Sequence, residues 1–155
     1  MNRKANENTP NPCRSVNKAV IILSGVSGSG KSFVADLLAE SFSELTVICC
    51  ADDYFTDEDG VYNFNPAKIG KAHKECQDKF LSALLDFDTK NIILANTNTS
   101  RKDFKYYQNL CETHKATCVR LVVDNIHNTE DVHNVPQEVR ANQFKRLVDS
   151  LSFSI

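Results

Sequence analysis

The stretch Gly25-Val26-Ser27-Gly28-Ser29-Gly30-Lys31-Ser32 constrains this chain more than any other. Two glycines separated by four residues, then Lys and Ser, form the pattern of a phosphate-binding loop. A polyphosphate is held by several backbone N–H donors aimed at one point. Side chains would keep the backbone away, so glycines are used. Lys31 sets a cation against the terminal phosphates, and Ser32 offers a hydroxyl to a magnesium ion. A helix beginning here adds partial positive charge at its N-terminus. The expected nucleotide contacts are Gly25, Ser27, Gly28, Ser29, Gly30, Lys31, Ser32 and Phe33.

The motif requires a strand before it and a helix after it. Ala19-Val20-Ile21-Ile22-Leu23 is an apolar run of strand length, giving a strand at about 18–24. Phe33, Leu37, Leu38 and Phe42 recur at helical spacing, giving a helix at about 30–42 with those residues inward. Leu45 to Cys50 is a second strand. Residues 51–65 are irregular, with Asp59-Gly60 as a tight hairpin-turn signal. Pro66 starts a helix to about residue 87, whose inner stripe is Ile69, His73, Cys76, Phe80, Ala83 and Leu84. Asn91 to Leu94 is a third strand, buried on both faces by its unbroken apolarity. Ser100 caps a helix at about 101–114, and Thr117 to Val123 is a fourth strand. A polar loop at 124–135 leads to a last helix from Pro136, with Val139, Phe144, Leu147 and Val148 as its inner side.

Strands alternating with helices predict an α/β fold: a mostly parallel sheet of about four to five strands, covered by helices on both faces in three layers. The phosphate loop then lies at the carboxyl ends of the strands, where such sheets bind ligands.

The 155 residues are enough for one domain with a real core, here 18–155, preceded by a polar tail at 1–17. The formal net charge of −2 provides no general attraction to nucleic acid or to an anionic membrane. No apolar run reaches membrane-spanning length and no signal-peptide pattern opens the chain, so the cytoplasm or nucleus is expected. The six cysteines show no ligand spacing and are read as small buried hydrophobes in a reducing compartment. No protein partner is implied.

Asp52 and Asp53 follow the second strand directly, at the same sheet edge as the loop. One of them can accept a proton from an attacking hydroxyl, or the pair can form an ordinary turn at a strand end. The third strand ends Leu94-Ala95-Asn96-Thr97-Asn98, without the acid that often completes a magnesium shell. His73 is either a core histidine or a contact to the catalytic carboxylates or the acceptor. His127 and His133 are either solvated loop histidines or part of a lid. Asp57, Glu58 and Asp59 form a solvated turn, since the calcium-loop pattern would put Phe55 in first place.

The chain resembles the phosphate-loop kinase family that includes bacteriophage-type polynucleotide 5′-kinase domains and the ATPase domain of NEDD4-binding protein 2. Residues 25–32, Ala51-Asp52-Asp53-Tyr54-Phe55, Asp59 to Phe64, Ala72-His73, Asn96 to Thr99 and His133 to Pro136 carry the resemblance, which covers about 20–150. It implies that Lys31 and Ser32 hold ATP and Mg2+. Asp52 matches the general base on a 5′-hydroxyl and also lies beside the metal, and Asp53 matches a supporting acid. Thr97 and Asn98 match the loop lining the active site. By position in the chain rather than by resemblance, His73 is a further acceptor-side candidate, and Arg101, which opens a helix near the same edge, is either an acceptor-side cation or an exposed charge. The family also carries a late arginine that presses on the transferred phosphate. None lies between His127 and His133, and Arg140 is the nearest. Loss of such a cation costs on the order of 10³-fold in rate.

Three functions follow: an ATP-dependent kinase of a DNA or RNA 5′ end, a kinase of a small hydroxyl metabolite, or a non-catalytic nucleotide-binding module. The mild acidity of the chain favours the second, and the missing acid and arginine favour the third.

Overall fold

Each strand of the sheet is followed by a helix, as the alternation predicts. The computed structural model describes residues 17–124 and 134–152. In it β1 (Ala19–Ser24) leads to α1 (Lys31–Ser41), and β2 (Thr46–Cys49) leads to α2 (Ile69–Leu85). β3 (Asn91–Leu94) then leads to α3 (Arg101–Thr113), and β4 (Thr117–Val122) to α4 (Gln137–Leu151). The strands pair in parallel in the order β2-β3-β1-β4. Between β2 and α2, two 3₁₀ segments stand at Ala51–Phe55 and Pro66–Lys68. The turn expected at Asp59-Gly60 is present, with Gly60 at φ 79° and a single antiparallel bridge between Thr56 and Tyr62.

Successive side chains on a strand point to opposite faces. Val20 and Ile22 of β1, with Ile92 and Leu94 of β3, therefore pack with Phe80 of α2 and Tyr107 and Cys111 of α3. Leu23 and Ile93 pack on the other face with Ala35 of α1. Every residue of β3 is buried. The Phe80 and Tyr107 rings meet edge to face at 4.9 Å, an arrangement worth about 1 kcal/mol beyond area burial. Ser100 caps α3 as expected, its side chain accepting the N–H of Asp103.

Three helix faces differ from those the spacing predicts. In α1, Phe33 is 72% exposed and Leu37 is 52% exposed, while Lys31 and Ala35 are buried. Lys31 turns back across the phosphate loop. Ala35, one turn further along on the same side of the helix, packs against the sheet, and Phe33 faces outward. In α2, the buried residues are Ala72, Cys76, Phe80, Ala83 and Leu84, whereas Ile69 and His73 are exposed. In α4, Gln143 and Leu147 are buried, while Val139, Phe144 and Val148 are exposed. Hydrogen bonds between the Gln143 side chain and Ser27 tie this face of the helix to the glycine-rich loop.

Of the described cysteines, Cys49, Cys76 and Cys111 are buried and Cys50 and Cys118 are half-buried, all as free thiols. Burial pushes the Cys49 thiol up to about 12 and the Cys50 thiol up to about 11. No helix among the described residues is long and apolar enough to cross a membrane. Residues 1–16 of the expected tail lie outside the described residues.

Candidate functional site

β1 ends at the buried Ser24, and the chain turns into the glycine-rich loop. A Cβ on Gly25 would stand 2.5 Å from both the Ser29 hydroxyl and the Val123 carbonyl, so only glycine fits there. Gly28 and Gly30 adopt φ of 78° and 91°, a region closed to most side chains. Gly30 is the residue before α1, which places the loop on that helix's N-terminus. The loop is anchored to its neighbour strand by the Gly25 N–H, which donates to the Thr97 carbonyl at 3.0 Å. Lys31 is 8% exposed, and its Nζ donates to the Val26 carbonyl at 2.7 Å and to the Ser29 hydroxyl at 3.4 Å.

Asp52 and Asp53 lie in the first turn of the 3₁₀ segment that follows β2. Both are exposed, and Asp53 pairs with Lys79 of α2 at 3.4 Å. Asn96, just past β3, positions this segment. Its Oδ1 accepts the Ala51 N–H at 2.8 Å, and its Nδ2 donates to the Cys76 sulfur at 3.4 Å. The side chain at the expected acidic position is therefore used in holding the Asp52 turn.

Two cavities flank this turn. One, of about 260 Å³, is lined by Ser32, Asp36, Asp52 and Asp53 among others. The other, of about 460 Å³, includes Asp52, His73, Asn96, Thr97 and Gln143, with Phe55, Tyr62 and Phe64 as apolar walls. The Tyr62 and Phe64 rings lie nearly parallel, with centroids 6.5 Å apart, and Phe55 stands edge-on to both. Asp52 and Tyr62 line both cavities.

The cavity beside Ser32 presents a hydroxyl and carboxylates, a hard-oxygen set that suits magnesium. No group of three or more His, Cys, Asp or Glu among the described residues forms a metal cage. Magnesium in nucleotide sites does not need one, because phosphate oxygens and water complete its octahedron.

The remaining expected site residues are distributed as follows. Thr97 and His73 share the larger cavity with Asp52. Asn98 lies beneath the loop, buried at φ 43°. Its Nδ2 donates to the Leu23 carbonyl at 2.8 Å, and its carbonyl accepts from Ser24 and from Arg120. Arg101 is turned away from this cavity. Its Nη2 donates to the Ser152 carbonyl at 2.9 Å, and the residue lines a separate groove between α3, β4 and α4. Arg140 is half-buried in the first turn of α4. Phe33 presents an exposed ring. His127 and His133 lie outside the described residues.

Sequence reasoning missed Arg120 and Gln143. Arg120 donates to the Ser24, Asn98 and Ser150 oxygens and lies 4.7 Å over the Phe104 ring. The only signal for it was a charge inside an otherwise apolar strand. For Gln143, lodged between helix residues, no local signal existed.

No family model matches the chain. Human NEDD4-binding protein 2 is 37% identical over 102 residues, which is 64% of this chain and 6% of that protein. The chain thus spans a small fraction of the curated relative it matches. Among solved structures, the Pnkp1/Rnl/Hen1 RNA repair complex superposes with a TM-score of 0.65 at 20% identity, covering 95% of this chain and 48% of that one. Chaetomium thermophilum Kti12 in complex with ADP-AlF3 gives 0.55 at 14% identity, covering 82% and 79%. Mycobacterium tuberculosis APS kinase CysC in complex with AMPPNP and APS gives 0.51 at 15% identity, covering 70% and 63%. The fold shared with these structures is therefore an α/β sheet between helices, here with the glycine-rich loop at the carboxyl edge of the strands.

Proposed function

We propose that the chain binds ATP and transfers its terminal phosphate to a hydroxyl acceptor, a 5′-hydroxyl end of DNA or RNA being the acceptor that fits best. One observation carries this reading. Asp52 lies between a cavity holding the Ser32 hydroxyl and a cavity walled by aromatic rings. That is where a base must stand to take a proton from an acceptor facing a bound triphosphate. The Tyr62 and Phe64 rings offer apolar faces to a flat base. The fold likeness to a member of an RNA repair complex, and the sequence likeness to part of NEDD4-binding protein 2, point in the same direction.

In this reading the loop amides, Lys31 and the N-terminus of α1 hold the phosphates and take up charge as it moves. Ser32, with Asp52 close by, holds magnesium, which neutralises phosphate charge when bound. Asp52 accepts the acceptor's proton, and Asp53, paired with Lys79, keeps its turn in place. Arg140 is the described cation nearest in sequence to the late arginine of the family. The rate comes from positioning more than from covalent chemistry.

A second reading, a nucleotide-binding module without transfer, is favoured by Asn96. It occupies the strand-end position where an acid is common and spends its side chain on Ala51 and Cys76. Transfer of radiolabel from γ-labelled ATP to 5′-hydroxyl DNA, RNA and nucleosides separates the two. Labelled oligonucleotide is the expected product. ATP binding with no labelled product from any acceptor would establish the second reading. A small metabolite acceptor would show itself by insensitivity to salt, because binding of a polyanion weakens steeply as salt rises.

A further inference from the structure

Gln143 projects from the inward face of α4 and is only 9% exposed. Its Oε1 accepts the Ser27 backbone N–H at 2.8 Å, and the Ser27 hydroxyl accepts from its Nε2 at 3.1 Å. The two bonds join residues 116 positions apart in sequence. A carboxamide that both accepts from and donates to one residue has its rotation fixed, and fixes that residue in turn.

The phosphate loop needs such a tie. With three glycines among residues 25–30, its backbone has more freedom to lose on closing around a phosphate than an ordinary turn. The start of the loop is held by the Gly25 N–H on the Thr97 carbonyl, and its base is crossed by Lys31 on the Val26 carbonyl. Among the described residues, the side chain that reaches Ser27 from outside the loop is that of Gln143. The same residue lines the cavity that Asp52 and Thr97 also line.

We propose that Gln143 is a positioning residue for the phosphate loop. Through Ser27 it locks the leading half of the loop to α4, and it keeps the Ser27 N–H engaged so that phosphate is met by the amides from Gly28 onward. The lock is a property of the chain by itself. Its effect on nucleotide affinity rests on the ATP-binding reading above.

The test compares the unaltered chain with Gln143→Ala, Gln143→Glu, Ser27→Ala and the double alanine variant. Amide hydrogen exchange across residues 25–32 reports the lock, and calorimetric titration with ATP plus magnesium reports its effect. Gln143→Ala is expected to speed exchange at Ser27, and to weaken ATP binding, by about ten-fold each. Ser27→Ala keeps the backbone bond and has smaller effects, and the double variant is no worse than Gln143→Ala alone. Gln143→Glu can still accept from both Ser27 donors, so exchange stays slow. Its negative charge then weakens ATP more than adenosine, an order that a purely structural role does not produce.

Unchanged exchange at Ser27 in Gln143→Ala overturns the lock. Faster exchange with undiminished ATP affinity overturns the positioning role. Should Gln143→Ala lose α4 helicity by circular dichroism, Gln143→Glu and Ser27→Ala decide instead: fast exchange in the glutamate variant sinks the lock. If the unaltered chain binds no ATP, the nucleotide reading fails, and exchange alone still judges the lock.

Discussion

The side chain of Asn96 accepts the backbone N–H of Ala51 at 2.8 Å, tying the end of β3 to the turn that carries Asp52. Ala51 is buried, so removing this acceptor strands a backbone donor away from water. Asn96→Ala is expected to destabilise the fold by about 1–3 kcal/mol. It should also lower the turnover number more than it raises the Michaelis constant for ATP, because the donor loop is untouched. Urea melts and steady-state kinetics on the same preparation check both halves.

Lys31 and Asp52 are expected to separate binding from transfer. Lys31→Ala removes the cation lying across the loop and weakens ATP binding in a calorimetric titration. Asp52→Ala leaves ATP affinity within a few-fold and removes phosphate transfer, since proton acceptance is worth about 10²–10⁴-fold in rate. A turnover number unchanged by Asp52→Ala would show that the base lies elsewhere.

Gly25 has no room for a side chain. The Cβ of Gly25→Ala would stand 2.5 Å from the Val123 carbonyl, a backbone atom that cannot swing aside. The loop must shift, and ATP binding is expected to be lost while the parallel sheet persists. Calorimetry paired with far-UV circular dichroism reads the two outcomes. Intact ATP affinity would mean that the backbone just past β4 yields at Val123.

The buried thiol of Cys49 makes stability depend on alkaline pH. Its pKa is pushed from 9.0 up to about 12 by burial, so the native chain keeps a proton that the unfolded chain gives up. With more protons bound in the native state, stability falls as pH rises through that interval. The slope from one such thiol is about 1.4 kcal/mol per pH unit. Urea midpoints measured from pH 8 upward should decline, and Cys49→Ala should flatten the decline. Parallel slopes in the two proteins would refute the assignment.

How far each feature was legible followed the range of the interaction behind it. The glycine pattern at residues 25–30, the strand–loop–helix context, the Ser100 cap and the unbroken apolarity of β3 are local, and each is present where the sequence puts it. The strand alternation was enough to predict a parallel sheet between helices. Which way each helix turns its apolar stripe was a different matter. Hydrophobic spacing alone set Phe33, His73 and Phe144 inward, and all three are exposed. Periodicity finds a stripe but not its rotation. In α2 and α4 the residues that face inward are those with partners across the fold: Ala72 and Cys76 against the sheet, Gln143 on Ser27.

The site divides in the same way. Lys31, Ser32, Asp52 and Asp53 could be named from the sequence because a short motif or the end of a strand carries them to one sheet edge. Arg101 was placed on the acceptor side by its position in the chain, yet it reaches the Ser152 carbonyl at the end of α4. Asn98 was read as a lining residue and is instead the buried latch under β1. The sequence alone determined that a glycine-rich loop turns between β1 and α1 and which edge of the sheet bears it, since backbone geometry there depends on glycine at fixed spacing. Only the tertiary structure decided what braces that loop. Asn96, Arg120 and Gln143 act through hydrogen-bond partners between 20 and 116 positions away, and no local pattern records where a folded chain will bring two such residues together.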